Sequence, residues 1–529
     1  MKIINLTLKL SVILLFFCNI LLGQDYNITW SELEKSNIEA DKLLTLNQNE
    51  FIVVKDKGSI NIYKKQQLLK SEKIPTSLEK NKLTFRKAVV LKDEIYLFYT
   101  SNKKKIKKVY LQKFDNSLNP IGKLNKLVEF EVNKDLTDFV EIIQSKNNKY
   151  FGLIYKTMNA SLNKTSYNFK IFNDELSEVV QNNYTLPSED KSSRRENDYL
   201  SDNGDYYISF FEKTKKHGEN NAYHVALVTS TGLKDVTIDF KENTVYYSRI
   251  SIDNNSKLNV SGIYGNLEDK ILFGPNRVQN QSNYIRSEIS NGATGVFNLK
   301  IDFDDVNNIK KNTYEFDEEF IMDDWKDRER ANSPINKGKT PRLYDYFIKE
   351  NIILKDGSSI LTLEQIYKTT SVSKSTSSSG APTTKTSSRY YKNDIIVCKT
   401  KPDGEFEWMV KIKKHQTSFG KNSPYSSFIS FVKDDKINIV FNDDNENYNE
   451  KGDYTGPSTG VRFSTKKSSI AQTSINLNDG GVIKRNIISK SDKIDVLMQP
   501  QKTFIDYNFN KLLIYGNFRN QERCGVLVF

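Results

Sequence analysis

Three histidines, His217, His224 and His415, occur in the 529 residues, and no two stand at a spacing that would hold zinc. The cysteines do not extend the set. Cys18 lies inside an N-terminal apolar run, while Cys398 and Cys524 stand far apart in strand-like runs and read as two buried thiols packed as small apolar groups. No Gly-x-Ser-x-Gly elbow accompanies the histidines, so nothing marks an activated serine nucleophile. Carboxylates carry the remaining catalytic chemistry. Glu212, Glu268, Glu364 and Asp443 fall near loop ends. Two of them could serve as acid and base in glycoside hydrolysis, but no recognisable spacing joins any pair. The oxygen-rich run from Asp443 to Asn447, followed by Asp453, is the one candidate for Ca²⁺. It lacks the glycine and closing glutamate of an EF-hand loop and reads as a solvated acidic loop. The expectation is no metal and no cofactor.

Recognition chemistry is better represented. Tyr284, Arg286, Arg389, Tyr390, Tyr391, Tyr448 and Tyr454 stand in or beside long loops. Tyrosine and arginine are the residue types enriched at binding hot spots. The competing reading is structural, with Tyr390 and Tyr391 simply beginning a strand.

The elements that must position these residues repeat. An apolar, aromatic-rich run follows a polar turn eight times, at Glu50–Val54, Glu94–Tyr99, Tyr150–Tyr155, Tyr206–Phe211, Leu258–Tyr264, Ser359–Glu364, Ile437–Phe441 and Leu512–Gly516. Each sits among further short runs rich in β-branched and aromatic residues, bounded by Asn, Asp and Gly, which is the pattern of antiparallel strands. In the second unit the four strands read as Thr84–Leu91, Ile95–Tyr99, Val109–Phe114 and an edge strand near Leu124. Pro402-Asp403-Gly404 is the clearest turn, because proline presets φ and glycine accepts a positive one. Such a repeat predicts an all-β chain folded as a β-propeller of eight blades, with seven the alternative. The last unit ends after its third strand, Cys524–Phe529, and the segment Tyr26–Trp30 is the candidate to complete it. That pairing would close the ring and remove two open sheet edges.

The insertions fall on one side. First-to-second turns are short throughout, whereas the second-to-third loops lengthen to 266–292, 369–391 and 442–469, and an insertion near 316–345 separates the fifth and sixth units. Loops of that length are uncommon in compact domains and are usually functional or disordered. The Ser-rich stretch 369–388 reads as flexible, and Asp317–Asp327 as a short helix. One face is therefore expected to be plain and the other elaborated.

Met1-Lys2 and Lys9 precede the apolar run Leu10–Leu22 and then Gly23, the layout of a secretory signal, so residues 1–23 are expected to be removed and 24–529 to form one exported domain. No later stretch approaches the length of a membrane span. The formal charge of +12 falls to about +10 once Lys2 and Lys9 leave. The lysines are dispersed, and only 103–105 with 107–108 is dense, so the excess reads as solvated surface and not as the basic stripe of a nucleic-acid binder. Abundant Lys, Asn and Ile with scarce Ala bears the imprint of an AT-rich, bacterial genome.

The strand order, and in particular Asn393–Val397 leading through Pro402-Asp403-Gly404 to Trp408, resembles secreted bacterial β-propeller repeat proteins. The resemblance spans nearly the whole mature chain and implies the fold alone. A Ser-x-Asp-x-Gly-x-Thr-Trp turn of the sialidase type is not met, since Asp403 and Gly404 are adjacent. The expected function is that of a monomeric, non-enzymatic binding module for a protein or glycan, in the periplasm, at the cell surface or outside the cell. A carbohydrate-active enzyme with carboxylates in a deep central pocket, and a structural envelope component, are the alternatives.

Overall fold

The computed structural model describes residues 26–529 apart from 56–57, 79–80, 104, 133–138, 160–163, 186–192, 213–221, 242, 254–255, 267–282, 286–291, 307, 324–341, 377–381, 457–459 and 462. The expected signal peptide, Arg286, Glu268, His217 and most of the insertion after the fifth unit lie outside these residues.

The chain is all-β in its regular structure, with only single-turn helical segments between strands among the described residues. Eight antiparallel sheets of four or more strands follow one another along it. In the second sheet the strands are Thr84–Leu91, Glu94–Lys103, Ile106–Phe114 and Pro120–Glu131, paired in chain order. The other sheets repeat that order, beginning with Ala40–Thr45, Val140–Gln144, Ser193–Leu200, Asn243–Ile252, Tyr346–Ile353 and Phe428–Lys433. The eighth is composite. Leu497–Met498 and Phe504–Asp506 both pair with Lys511–Phe518, which pairs with Gln521–Val528. Its outer strand comes from the start of the described chain, with Ile28 opposite Leu527 and Trp30 opposite Gly525.

Alternation explains how the sheets stack. Successive side chains of a strand point to opposite faces, so one strand serves two neighbours. In Glu50–Lys55, Ile52 and Val54 join the apolar cluster shared with the second sheet, while Phe51 and Val53 join the cluster shared with the eighth. Each such fully buried side chain contributes on the order of 1.5–3 kcal/mol. Further clusters join the second sheet to the third, the third to the fourth, the fourth to the fifth, the fifth to the sixth, the sixth to the seventh and the seventh to the eighth.

Local chemistry follows the sequence at most turns. Gly404 has φ +90°, and a β-carbon there would meet Asn298 Oδ1 at 2.6 Å. Lys92-Asp93 and Asp434-Asp435 hold positive φ in two-residue hairpin turns. Trp408 is buried, its indole donating to the Leu477 carbonyl at 3.0 Å. The short helix is Glu318–Met322, capped by Asp317, which accepts from the Phe320 amide at 2.6 Å. Cys398 and Cys524 are free and buried, and burial raises the pKa of both thiols. Lys107, in the one dense basic cluster, is buried within the second sheet and is not solvated surface.

Candidate functional site

The largest departure from the sequence reading lies in the sixth sheet. The stretch 369–391, expected to be a long loop and flexible over 369–388, is largely paired backbone. Ser359–Thr376 and Pro382–Thr400 form one continuous hairpin in which Thr376 is opposite Pro382. Strands of 18 and 19 residues exceed by far the six to ten typical of the other sheets, so the hairpin runs on past its sheet as an arm. At about 3.3 Å per residue, such a strand spans roughly 60 Å. Hydroxyl side chains that look like a linker in one dimension fit a ladder in two. Ser371 and Ser387 hydroxyls meet across the pair at 2.7 Å, and threonine is a good strand former. Two short strands cover parts of its edges. Asn283–Ile285, from the fifth unit, pairs with 370–372, and Gln416–Phe419 pairs with 389–392.

Period-two geometry sorts the candidate residues of this arm onto two faces. Tyr391 stacks on Tyr367, its cross-strand partner, with centroids 4.5 Å apart and planes at 11°. Two residues on, Arg389 lies on the same face with its guanidinium 4.8 Å from the ring of Phe419, its partner on the other side. Phe419 is 69% exposed, the most exposed large apolar side chain among the described residues. Tyr390 takes the opposite face, beneath the Lys368 ammonium at 5.5 Å. Tyr284 is in the strand added to the arm, opposite Ser371. The residues Tyr367, Tyr391, Arg389 and Phe419 thus form a one-sided aromatic and cationic ladder. The sequence pointed to Arg389 and Tyr391 but not to Tyr367 or Phe419, which pairing alone brings beside them.

The other loop residues are engaged internally. Tyr448 is buried, its hydroxyl donating to Asp443 Oδ2 at 2.7 Å, and Tyr454 lies 3.7 Å from the Arg485 guanidinium. Arg485 also donates to Asp443 Oδ2 at 2.5 Å. The Tyr454 amide donates to the Arg485 carbonyl, which draws the 442–469 segment back onto its own sheet. Asp443 and the adjoining oxygens therefore serve the loop itself. Glu364 is equally committed. It and Lys414 are fully buried and paired at 2.9 Å, and Glu364 also accepts from the Ser427 hydroxyl at 2.7 Å. Lys414 holds its carboxyl below the usual range despite burial. Neither of these two acids is placed for catalysis. Among the described residues no three His, Cys, Asp or Glu side chains gather as metal ligands would.

A second arrangement went unread in the sequence. The first strands of the sheets carry a belt of charge. Arg195 donates to Glu141 at 2.8 Å and pairs with Asp198 at 2.7 Å, and Arg249 donates to Asn197 Oδ1 at 2.7 Å. Ser430, on the seventh sheet, donates to Glu350 of the sixth at 2.8 Å. Lys146 follows the first strand of the third sheet, and its charge acts on Glu350. Asn508 of the eighth sheet donates to the Lys146 carbonyl at 3.1 Å. Edges of sheets far apart in the chain therefore face one another across this belt. Lys42, Lys87 and Lys349 complete it on the first, second and sixth sheets, with the Asp41 charge acting on Lys42 and Lys87 and that of Asp202 on Lys146. Burial pushes Glu350 up and Lys87 and Lys146 down, and it pushes Lys42 to about 8 with the help of the neighbouring Lys87 charge. The signal for this belt was present in Lys87 and Lys349-Glu350, charges set within the strands Thr84–Leu91 and Tyr346–Ile353.

No family model and no curated protein matches the sequence. Among solved structures the chain is similar to the WD40 domain of SCAP from fission yeast, with 8% identity and a TM-score of 0.39 over 96% of this chain and 99% of that one. It is similar to the polysaccharide lyase Uly1, with 11% identity and a TM-score of 0.36 over 93% and 100%. YCF48 bound to D1 peptide gives 8% identity and a TM-score of 0.35 over 96% and 97%. At these identities and TM-scores no residue role carries across.

Proposed function

We propose that the mature protein is a single, monomeric, eight-bladed β-propeller, exported from the cell, which binds a protein or glycan partner through the arm of its sixth blade. Support for the ring comes from the apolar clusters, which join each sheet to the next and the eighth to the first, and from the N-terminal strand seated beside Gln521–Val528. The observation that carries the function is the ladder of Tyr367, Tyr391, Arg389 and Phe419, held on a projecting hairpin with its outer members exposed. Aromatic rings and guanidinium groups give large contact area at low entropic cost and dominate binding hot spots. A rigid scaffold bearing recognition groups at its loops is the usual division of labour. The hydrolase reading loses ground, because Glu364 and Asp443 are spent on internal ion pairs.

The test replaces both outer members of the ladder. Arg389→Ala with Phe419→Ala should leave the far-UV circular dichroism and melting temperature unchanged. It should abolish partner capture from the producing cell's envelope fraction, or retention on a glycan array, relative to the parent protein. Equal capture by both proteins would overturn the assignment to the arm.

A further inference from the structure

The arm is a narrow sheet whose outer half is open along one side. Asn283–Ile285 lies along one side at 370–372, and Gln416–Phe419 lies along the other at 389–392. The second of these covers ends at a fixed turn. The Gly420 amide donates to the Ser388 carbonyl at 2.8 Å, and Gly420, at φ +77°, then leads the chain away. The Ser418 hydroxyl holds that turn, donating to the Lys421 carbonyl at 2.9 Å and accepting from the Ser423 amide at 3.2 Å. Beyond Ser388, toward the tip, no described strand pairs with this side of Pro382–Thr400. The Ser388 carbonyl also fixes which groups face outward. In an antiparallel ladder the N–H and C=O of one residue point to the same side, and those of the next residue to the other. Thr386 and Thr384 therefore direct amide and carbonyl outward, while Lys385 and Ser387 turn theirs toward Ser373 and Ser371. Pro382 faces outward too and has no amide to leave unpaired.

Charge on the arm has one sign. No Asp or Glu occurs from Gln365 to Asn393 or from Trp408 to Lys433, so the hairpin beyond its sheet and the strand beside it bring cations alone. Lys385, Arg389 and Lys421 are exposed. By alternation Lys385 shares the face of Arg389 and Phe419. An open edge is a template for another strand. The arm of a second copy would bring the same positive charge, whereas an acidic strand would neutralise it.

We infer that the arm takes its partner by strand addition, an extended acidic polypeptide segment pairing with 384–388 and continuing the line that Gln416–Phe419 leaves at Gly420. This rests on the assignment of binding to the arm and gives the chemistry of the partner. Main-chain hydrogen bonds to Thr384 and Thr386 supply affinity, and alternate side chains supply specificity. Carboxylates at every second position fall on the face of Lys385 and Arg389. An apolar residue at the end nearest Gly420 meets the exposed ring of Phe419.

A fluorescein-labelled peptide of alternating glutamate and valine, titrated with the mature protein at low ionic strength, tests this by anisotropy. Saturable binding is expected, and the same peptide with lysine in place of glutamate should bind about tenfold more weakly or not at all. Thr386→Pro removes one outward amide while leaving the bonds within the hairpin in place, and should weaken binding by about tenfold. Thr386→Val keeps the amide and should bind as the parent does. A second readout does not depend on the variants. In residue-resolved hydrogen exchange of the free protein, the Thr384 and Thr386 amides should exchange fast and those of Lys385 and Ser387 slowly. Saturating peptide should slow the first pair by about tenfold or more. Absence of saturable binding, equal binding of the lysine peptide, parent-like affinity in Thr386→Pro, or unprotected Thr384 and Thr386 amides would overturn the inference. So would retention of polygalacturonate, an anionic glycan, where the acidic peptide is not retained. Partner capture abolished by Arg389→Ala with Phe419→Ala but intact in Thr386→Pro would overturn strand addition and leave the arm as the binding site. Capture lost in neither would overturn both, so the two failures are distinguishable.

Discussion

Replacing Lys414 with methionine tests how the sixth, seventh and eighth sheets are held together. The Lys414 ammonium is fully buried and donates to Glu364 at 2.9 Å, to the Lys392 carbonyl at 2.7 Å and to Gln416 Oε1 at 3.0 Å. Gln416 in turn accepts from the Ser427 amide and donates to the Asn442 carbonyl, and Asn442 donates to the Met498 carbonyl of the eighth sheet. Methionine fills a similar volume but leaves the Glu364 carboxylate buried with only the Ser427 hydroxyl in direct contact. Removing one member of a buried pair costs about 3–5 kcal/mol. The sign with pH follows from Glu364. Its folded pKa is depressed in the parent, so its contribution is present above the unfolded value and is lost as pH falls through the folded one. In Lys414→Met that pKa should instead rise, the carboxyl taking up a proton to stay buried. The difference between parent and variant should therefore be full at pH 7 and shrink as pH falls toward the ordinary glutamate pKa, near 4.3. Denaturant unfolding at pH 7 and pH 5 measures it. Adding Glu364→Gln should recover most of the loss, since the amide can keep the Ser427 contact without a charge. A loss below about 1 kcal/mol, an equal loss at both pH values, or no recovery in the double variant would refute the account.

Further outcomes follow from the same geometry. Deleting residues 24–30 removes the strand opposite 525–527 and should lower the melting temperature and induce aggregation through the bared Gln521–Val528 edge, seen by light scattering. Because the folded pKa of Lys42 is near 8 and the unfolded one is higher, the unfolded state binds more protons between them. Stability should thus gain a rising component from about pH 8 to about 10.4 that is absent in Lys42→Met, measured as denaturant midpoints across that range. Tyr448→Phe leaves Asp443 short of one hydroxyl donor and should destabilise by about 1–3 kcal/mol. Limited proteolysis should then cut first within 449–455.

Strand positions were legible because alternation and turn chemistry are local. Thr84–Leu91 coincides with its expected bounds, Pro402-Asp403-Gly404 turns as its residue types require, and the partner of the final strand was found by noting an unpaired edge. The arm was not legible, since serine and threonine are as suited to a linker as to a ladder until a partner strand lies at hydrogen-bonding distance. Glu364 and Asp443 looked like free acids for the same reason. Lys414 is 50 residues from the first and Arg485 is 42 from the second, and no sequence pattern links them.

Sequence alone therefore determined an all-β repeat, its strands and its tight turns, because each depends on residues within a few positions of one another. Tertiary structure decided which side chains meet. It set Phe419 beside Arg389, spent two carboxylates on buried cations and gathered lysines from separate strands onto one belt. Contacts between sheets are made across long stretches of chain, and charge and burial at a point in space are sums over all of them.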